Sequence, residues 1–171
     1  MAEIQNITFC AKLNCKLDLN FIARNSFNVE YKWKRINAVI KRLRNPRCTC
    51  KIFSNGNIGL TGCRSIEQCN IAIRKVARMI QKLGYEVKIT NKEVNNMVGS
   101  FNFGSTIDLV ALSTSIGQNA SFEPELFPGL IFTVDKCKIL VFRSGKVIIT
   151  GVKCKIELND AFETIFTKLF I

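Results

Sequence analysis

The sequence contains no histidine, and it has only three prolines in 171 residues. Without an imidazole, neither a Ser-His-Asp triad nor a Cys-His nucleophile pair can form, so these classes of catalysis are excluded. Eight cysteines are present, but no two have the C-x-x-C spacing that is common in zinc sites. We therefore predict that most of the cysteines are reduced and packed as small apolar residues.

Long hydrophobic runs are also missing. Residues 126–134 form one of the longest uncharged apolar stretches, and this is far shorter than a membrane-spanning helix. Residues 1–15 lack the charged-then-apolar order of a signal peptide, so we expect an intracellular protein. The apolar content of 47% is typical of a packed soluble chain. The length predicts one globular domain, or two small ones that share a core.

Positive charge is unevenly distributed along the chain. Residues 1–90 contain 17 Lys or Arg and five Asp or Glu, whereas residues 91–171 contain eight of each. The first half therefore carries the whole formal net charge of +12. A basic surface favours a polyanionic partner, either nucleic acid or an anionic membrane, although a solvated basic face would have the same composition.

The two halves are related in sequence. Residues 52–64 and 141–153 share the pattern Ile/Val-Phe-x-x-Gly-x-x-x-x-Thr-Gly-x-Lys/Arg at an offset of 89 residues. The segments that begin at Asn6 and Asn96 match at an offset of 90, and a third pair of segments matches in the same order. We therefore predict a tandem duplication, in which the first half is one repeat and the second half is the other.

Each repeat shows the same order of predicted elements. The first repeat contains four predicted strands, at residues 5–12, 36–44, 47–54 and 57–62. Asp18 caps a short predicted helix, and a longer one begins at Ser65, forms a capping box with Gln68, and stops at Gly84. The second repeat ends with a helix near residues 155–170, whose apolar stripe is Ile156, Phe162, Ile165, Phe166 and Leu169. Strands covered by helices on one side predict an α+β fold.

Side chains alternate between the two faces of a strand, so a period of two separates core residues from those on the uncovered sheet face. The predicted uncovered face mixes amide, hydroxyl and apolar side chains, namely Asn6, Thr8, Thr61, Asn96, Val98, Leu140, Ile148 and Thr150. Phe53 and Phe142 occupy matching outward positions at strand ends, which an ordinary solvent face would not show. We predict a binding face, although a partner domain could also cover these rings.

Several segments resemble the conserved core of the TATA-box-binding protein family. They are FEPELFPGLI at residues 122–131, the pattern F-x-S-G-K-V-x-x-T-G-x-K from Phe142, and CKLDL, N-x-E-Y and RKVARMIQKLG in the first repeat. The resemblance covers nearly the whole chain, from Asn6 to about Phe166. It implies that the two repeats form a saddle-shaped, curved antiparallel sheet, with helices on the convex face and DNA gripped in its minor groove by the concave face.

The resemblance also assigns roles to the residues of that face. Amides, hydroxyls and apolar groups would read A·T-rich DNA through Asn6, Thr8, Thr61, Asn96, Val98, Leu140, Ile148 and Thr150. Apolar wedges that open base steps, a known device of this family, would be Ile36, Phe53, Phe127 and Phe142. Phosphates would be contacted by Arg35, Arg42, Lys51, Arg64, Ser144, Lys146 and Lys153.

Protein partners are implied as well. The loop with Glu123, Glu125 and Leu126 corresponds to a surface that contacts transcription factor IIB. The basic helix with Arg74, Lys75 and Lys82 corresponds to a surface used by factor IIA, associated factors and regulators, although solvated helix charges would show the same pattern. We expect a general transcription initiation factor in the nucleus, with no chemistry of its own and with neither cofactor, membrane nor small-molecule substrate.

Departures from the family pattern are concentrated in the first repeat. Ile36 stands where the family has a wedge Phe, Lys51 replaces an apolar contact, Gly59 replaces a Val, and Asn57 replaces a Lys. Lys51 would add a charge that attracts DNA phosphates, and it would remove an apolar contact that discriminates between base sequences. A related factor with altered or lost TATA preference, acting mainly through protein partners, is therefore an alternative. A DNA-repair glycosylase's accessory domain and a protein-binding adaptor are two others.

Overall fold

Alternating apolar and polar residues build a set of five antiparallel strands twice along the chain. In a computed structural model, which describes residues 2–169, the chain divides into two compact units. The first unit is Asn6–Asn95, and the second consists of the described residues from Asn96 onward together with those before Asn6. The predicted repeat boundary at residue 90 stays a prediction.

The first set of strands lies in the order β2-β3-β4-β5-β1. Its strands are β1 (Glu3–Lys12), β2 (Val29–Tyr31), β3 (Val39–Arg44), β4 (Arg47–Ile52) and β5 (Asn57–Cys63). The second set has the equivalent order β6-β10-β9-β8-β7. Its strands are β6 (Thr90–Asn102), β7 (Ala120–Ser121), β8 (Gly129–Val134), β9 (Cys137–Phe142) and β10 (Lys146–Val152).

The short helix of each unit begins at an aspartate. Helix α1 (Leu19–Asn25) is capped by Asp18, whose carboxylate accepts from the amides of Asn20 and Phe21 at 2.9 and 3.1 Å. Helix α3 (Leu109–Ile116) is capped by Asp108 through the same two contacts at the same distances. These carboxylates satisfy amides that have no partner inside the helix, so the predicted cap at Asp18 is confirmed.

The long helices are α2 (Ile66–Lys82) and α4 (Lys155–Leu169). The Ser65 hydroxyl accepts from the Gln68 amide at 3.1 Å, as predicted. The Gln68 side chain accepts from the amide of Arg64 rather than from that of Ser65, so the predicted reciprocal box forms only on its serine side. The side chain of Leu169, which was assigned to the apolar stripe of α4, lies outside the described residues.

One face of each sheet is buried beneath helices. In the first unit, Cys48, Cys50 and Ile52 of β4 are buried, whereas Thr49 and Lys51 lie on the other side. Helix α2 buries Cys69, Ala72, Ile73, Val76, Ala77 and Ile80. The sheet face opposite the helices is here called the open face, and the predicted alternation is confirmed. The prediction was wrong at residues 36–38, which precede β3 and include a bend at residues 37–38.

Four thiols meet in the core beneath α2. All eight cysteines are free, and Cys48, Cys50, Cys63 and Cys69 are buried. The pKa of Cys48 is lowered to about 7, because the thiols of Cys50 and Cys63 hydrogen-bond to its sulfur and Lys75 lies nearby. The pKa of Cys50 is raised, first by its hydrogen bond to Cys48 and then by burial. Burial also raises the pKa of Cys63 and of Cys69.

Candidate nucleic-acid interface

One asparagine occupies the equivalent position on the open face of each unit. Asn6 Oδ1 accepts from the Gly62 amide at 2.7 Å, and Asn96 Oδ1 accepts from the Gly151 amide at 2.8 Å. An amide nitrogen requires an acceptor, so these bonds fix which end of each carboxamide meets the main chain. The Nδ2 donors are directed away from the glycines, and that of Asn96 lies 3.2 Å from Thr150 Oγ1.

The two glycines lie where the strand register shifts between β1 and β5, and between β6 and β10. Their φ values are +103° at Gly62 and +91° at Gly151, a region that side chains disfavour. An added Cβ would lie 3.2 Å from Cys48 Cα and 2.6 Å from the Lys136 carbonyl oxygen, respectively. Sequence reasoning missed the role of these glycines, although the Thr-Gly pair common to both repeats was an available signal.

Every predicted base-contact residue lies on the open face. Thr61 is exposed, and the other seven are half-buried, namely Asn6, Thr8, Asn96, Val98, Leu140, Ile148 and Thr150. In the second unit, Leu140 pairs across the strands with both Ile148 and Ile131, which gives an apolar row. In the first unit, the equivalent cross-strand partners are Lys51 and Gly59.

Two of the four predicted wedges are in contact with each other. The rings of Phe127 and Phe142 meet edge to face, with centroids 5.8 Å apart and an interplanar angle of 62°. A Cβ at Gly129 would lie 2.8 Å from Phe127 Cε1 and 3.1 Å from Phe142 Cε1, so both rings pack against this glycine. The Phe127 amide donates to the Glu123 carbonyl at 2.9 Å, in the loop that precedes β8.

The wedge candidates of the first unit occupy the equivalent places. Ile36 follows a turn in which its amide donates to the Lys32 carbonyl at 3.0 Å. Phe53 follows β4, and its amide donates to the Asn57 carbonyl at 3.0 Å. Both side chains are half-buried. Ala38 stands where the second unit has Gly129, at an offset of 91 residues.

The predicted phosphate-contact residues are all exposed, namely Arg35, Arg42, Lys51, Arg64, Ser144, Lys146 and Lys153. Arg42 already has an acidic partner, since its Nη1 lies 3.0 Å from Glu30 Oε2. Glu30 also meets Lys32 at 3.1 Å, and the hydrogen bonds from Arg42 and Lys32 lower the pKa of its carboxyl. Sequence reasoning missed Glu30, a carboxylate that would compete with phosphate for Arg42.

The predicted partner-binding residues are exposed as well. Leu126 is 80% exposed on the loop between β7 and β8, and the exposed Glu123 and Glu125 precede it. Arg74, Lys75 and Lys82 are exposed on α2, and Lys75 Nζ donates to the Asn45 carbonyl.

The described part of the chain offers neither of two other kinds of site. No helix in residues 2–169 is long and apolar enough to cross a membrane. Within the same residues, no group of three or more His, Cys, Asp and Glu side chains is arranged to hold a metal ion.

Comparison with known proteins decides the family. The family model described as transcription factor TFIID, or TATA-binding protein, matches residues 1–83 and 91–170. The chain belongs to the TATA-binding protein family. The TATA-box-binding proteins of Spodoptera frugiperda and Xenopus tropicalis are 48% and 47% identical to it over 96% of the chain. These matches cover 54% and 56% of those proteins, so the chain spans about half the length of its curated relatives.

A solved member of the TATA-binding protein family has the same fold. The Methanococcus jannaschii TBP structure is 28% identical, with a TM-score of 0.87 over 98% of this chain and 97% of that one. The predicted α+β fold of the TATA-binding protein type is thereby confirmed.

Proposed function

We propose that this chain is a general transcription initiation factor that binds and kinks A/T-rich promoter DNA through the minor groove. In this proposal it nucleates assembly of the preinitiation complex and acts in the nucleus. Membership of the TATA-binding protein family supports the proposal. The observation that carries it is the pair of carboxamides whose oxygens are held by Gly62 and Gly151.

The orientation of these carboxamides suits the minor groove of A·T pairs. An A·T pair presents only the acceptors adenine N3 and thymine O2 in this groove, whereas a G·C pair adds an amino donor. Nδ2 of Asn6 and of Asn96 supplies the donors that these acceptors need. The hydroxyls of Thr61 and Thr150 add a second donor in each unit, and Val98, Leu140 and Ile148 supply apolar contacts.

The wedges and the basic side chains complete the proposed DNA contacts. Phe127 and Phe142 would enter one base step together, since their rings already share one site over Gly129. Ile36 and Phe53 would do the same at the other end of the site. Unstacking costs a few kcal/mol per step, which the larger contact with bent DNA offsets. The exposed Arg and Lys residues would contact phosphates, independently of sequence.

The partner surfaces are proposed on the same basis. The loop around Leu126 presents an exposed apolar side chain directly after two acidic residues, Glu123 and Glu125, which suits a basic protein partner such as factor IIB. The cationic face of α2, with Arg74, Lys75 and Lys82, suits an acidic partner such as factor IIA, an associated factor or a regulator.

Asn96→Asp tests whether the oriented carboxamide of Asn96 donates to DNA. This substitution keeps an oxygen for the Gly151 amide but replaces the Nδ2 donor with a second acceptor, so affinity for an A/T-rich duplex should fall about tenfold or more. Asn119→Asp adds the same charge at an exposed position and is the matched control. Fluorescence anisotropy measures the affinity of both variants for the A/T-rich duplex. Equal affinities of the two variants would reject the proposed role of Asn96.

A second function has specific support in the first unit. A related factor with altered TATA preference, acting mainly through protein partners, would be expected to lose apolar groove contacts. Lys51 and Gly59 stand opposite each other where the second unit has Leu140 and Ile148. Duplexes with and without A/T-rich sites distinguish the two functions, because this factor would bind both equally.

A further inference from the structure

The open faces of the two units carry equivalent cross-strand rows of four residues. The first row is Ile40, Lys51, Gly59 and Cys10, and the second row is Ile131, Leu140, Ile148 and Ser100. Equivalent members are 89 to 91 residues apart, which are the offsets of the sequence repeat. The two rows are therefore related surfaces of one chain, and their differences can be compared position by position.

The rows differ most at their two central positions. Leu140 and Ile148 are half-buried apolar side chains that face each other across β9 and β10. Lys51 is exposed, and its cross-strand partner Gly59 has no side chain. A Cβ built on Gly59 would meet no atom within 4 Å, so the space in front of β5 is open.

This open space belongs to a depression of about 520 Å³ on the first unit. Polar and apolar groups line it, among them Cys10, Phe53, Asn57, Gly59, Asn91 and Glu93. Three of these, Asn57, Asn91 and Glu93, are exposed side chains that carry acceptor oxygens. The depression therefore combines room with hydrogen-bond acceptors, whereas the side chains of Leu140 and Ile148 fill the equivalent positions of the second unit with hydrocarbon.

A guanine in the minor groove requires space for its 2-amino group and acceptors for the hydrogen bonds that this group donates. The 2-amino group of guanine projects into this groove and is its only base-edge donor, whereas A·T pairs present acceptors alone. Against Leu140 and Ile148, the amino group would meet hydrocarbon and lose its hydrogen bond to water. Over Gly59, it has space, and oxygen acceptors are available to it.

We propose that the first unit accepts a G·C pair at the base step over Gly59, whereas the second unit requires A·T at the equivalent step. This inference rests on the proposed minor-groove function. The guanine amino group enters the depression and donates to its oxygens, and the Lys51 ammonium adds attraction to the DNA backbone that is independent of sequence. Gly59 and Lys51 are therefore specificity-determining residues of one half of the DNA site.

The test compares four duplexes by fluorescence anisotropy. One is A/T-rich throughout, two carry a G·C pair at the equivalent step of one half or the other, and one carries it in both halves. For the wild-type chain, the better tolerated single substitution should change Kd less than about threefold. The double substitution should weaken binding about tenfold or more, as expected for a mismatched pair.

Two variants and one base analogue complete the test. Gly59→Val should make both single G·C substitutions cost about tenfold, because it fills the space over β5. Lys51→Leu should make the salt dependence of binding shallower by roughly 0.9 for one lost phosphate contact. Inosine, which lacks the 2-amino group, should restore affinity wherever guanine is costly. Thermal unfolding verifies that each variant is folded.

The outcomes separate this inference from the proposed function. If wild-type protein binds the A/T-rich duplex no better than one made entirely of G·C pairs, the proposed function itself fails. If A/T preference holds but both single substitutions cost the wild-type chain about tenfold, the inference is overturned. It is also overturned if Gly59→Val leaves the ratios of Kd between duplexes unchanged in a folded protein.

Discussion

The carboxamide oxygen of Asn96 lies 2.8 Å from the amide nitrogen of Gly151, 55 positions along the chain. Asn6 and Gly62 make the same contact at 2.7 Å across 56 positions. In both places a glycine with positive φ presents its amide to the open face. A backbone feature thus orients the side chain that is proposed to read DNA.

This relationship predicts that Gly151→Ala destabilises the fold. The added Cβ would lie 2.6 Å from the Lys136 carbonyl oxygen, on a backbone with φ of +91°. We expect a loss of more than about 1 kcal/mol in the free energy of unfolding, measured by urea denaturation. Gly59→Ala is the matched control, because its Cβ meets no atom within 4 Å. Equal losses in the two variants would contradict this explanation.

The contact between Phe127 and Phe142 predicts a local effect on DNA shape. Replacing both with Ala removes the rings that would enter a base step, so bending should be lost at that end of the site. Energy transfer between dyes at the ends of a short duplex measures the bend. Phe27→Ala removes an exposed ring, 90% accessible, that has no proposed contact with DNA. Unchanged bending in the double variant would reject both residues as wedges.

The ion pair of Glu30 with Arg42 predicts a gain in affinity when it is broken. Glu30→Gln leaves Arg42 without its carboxylate partner, so its guanidinium should contact phosphate instead. Affinity should rise, and the slope of log K against log salt should steepen by roughly 0.9 for one added phosphate contact. Glu67→Gln on α2 removes the same charge at a position without a proposed DNA contact and is the matched control. An effect no larger than that of this control would show that breaking the ion pair adds no phosphate contact by Arg42.

The buried thiols predict a loss of stability in alkaline solution. Burial raises the pKa of Cys63 above its ordinary value of 9.0, so the folded chain holds this proton more tightly than the unfolded chain. The contribution to stability is therefore full below pH 9 and declines as the pH rises further. Cys48 acts oppositely, because its lowered pKa of about 7 adds stability as the pH rises from 7 to 9.

Urea denaturation at pH 8 and pH 10, in the presence of a reductant, measures this decline. Cys63→Ala should make the decline smaller, whereas Cys154→Ala, a half-buried thiol before α4, is the control. Equal declines in the two variants would mean that Cys63 does not contribute.

Local sequence signals were sufficient for most elements of the fold. Asp18, Ser65 and Gly84 mark helix ends through contacts within a few residues, which spacing alone can predict. The error at residues 36–38 arose because the alternation of Ile36, Asn37 and Ala38 suits a strand, while a turn on the Lys32 carbonyl redirects the chain. The short strand β2 has only three residues and therefore lacks a recognisable alternation.

The site was predictable in its residue types but not in its internal contacts. A period of two assigned Asn6 and Thr61 to the open face, because alternation is a local property. The bond from Gly62 to Asn6 depends on a register shift between strands far apart in sequence, which no local pattern reports. The pairing of Glu30 with Arg42 likewise requires the register of β2 on β3.

Energy transfer across a doubly labelled duplex reports binding and bending of DNA by this chain in one measurement. The wild-type chain is mixed with a TATA-containing duplex and with a control in which G·C pairs replace the A·T pairs of both halves. We expect tight binding and a sharp bend of the TATA duplex, and weaker binding of the control without that bend. Equal affinity for both duplexes, with neither of them bent, would contradict this expectation.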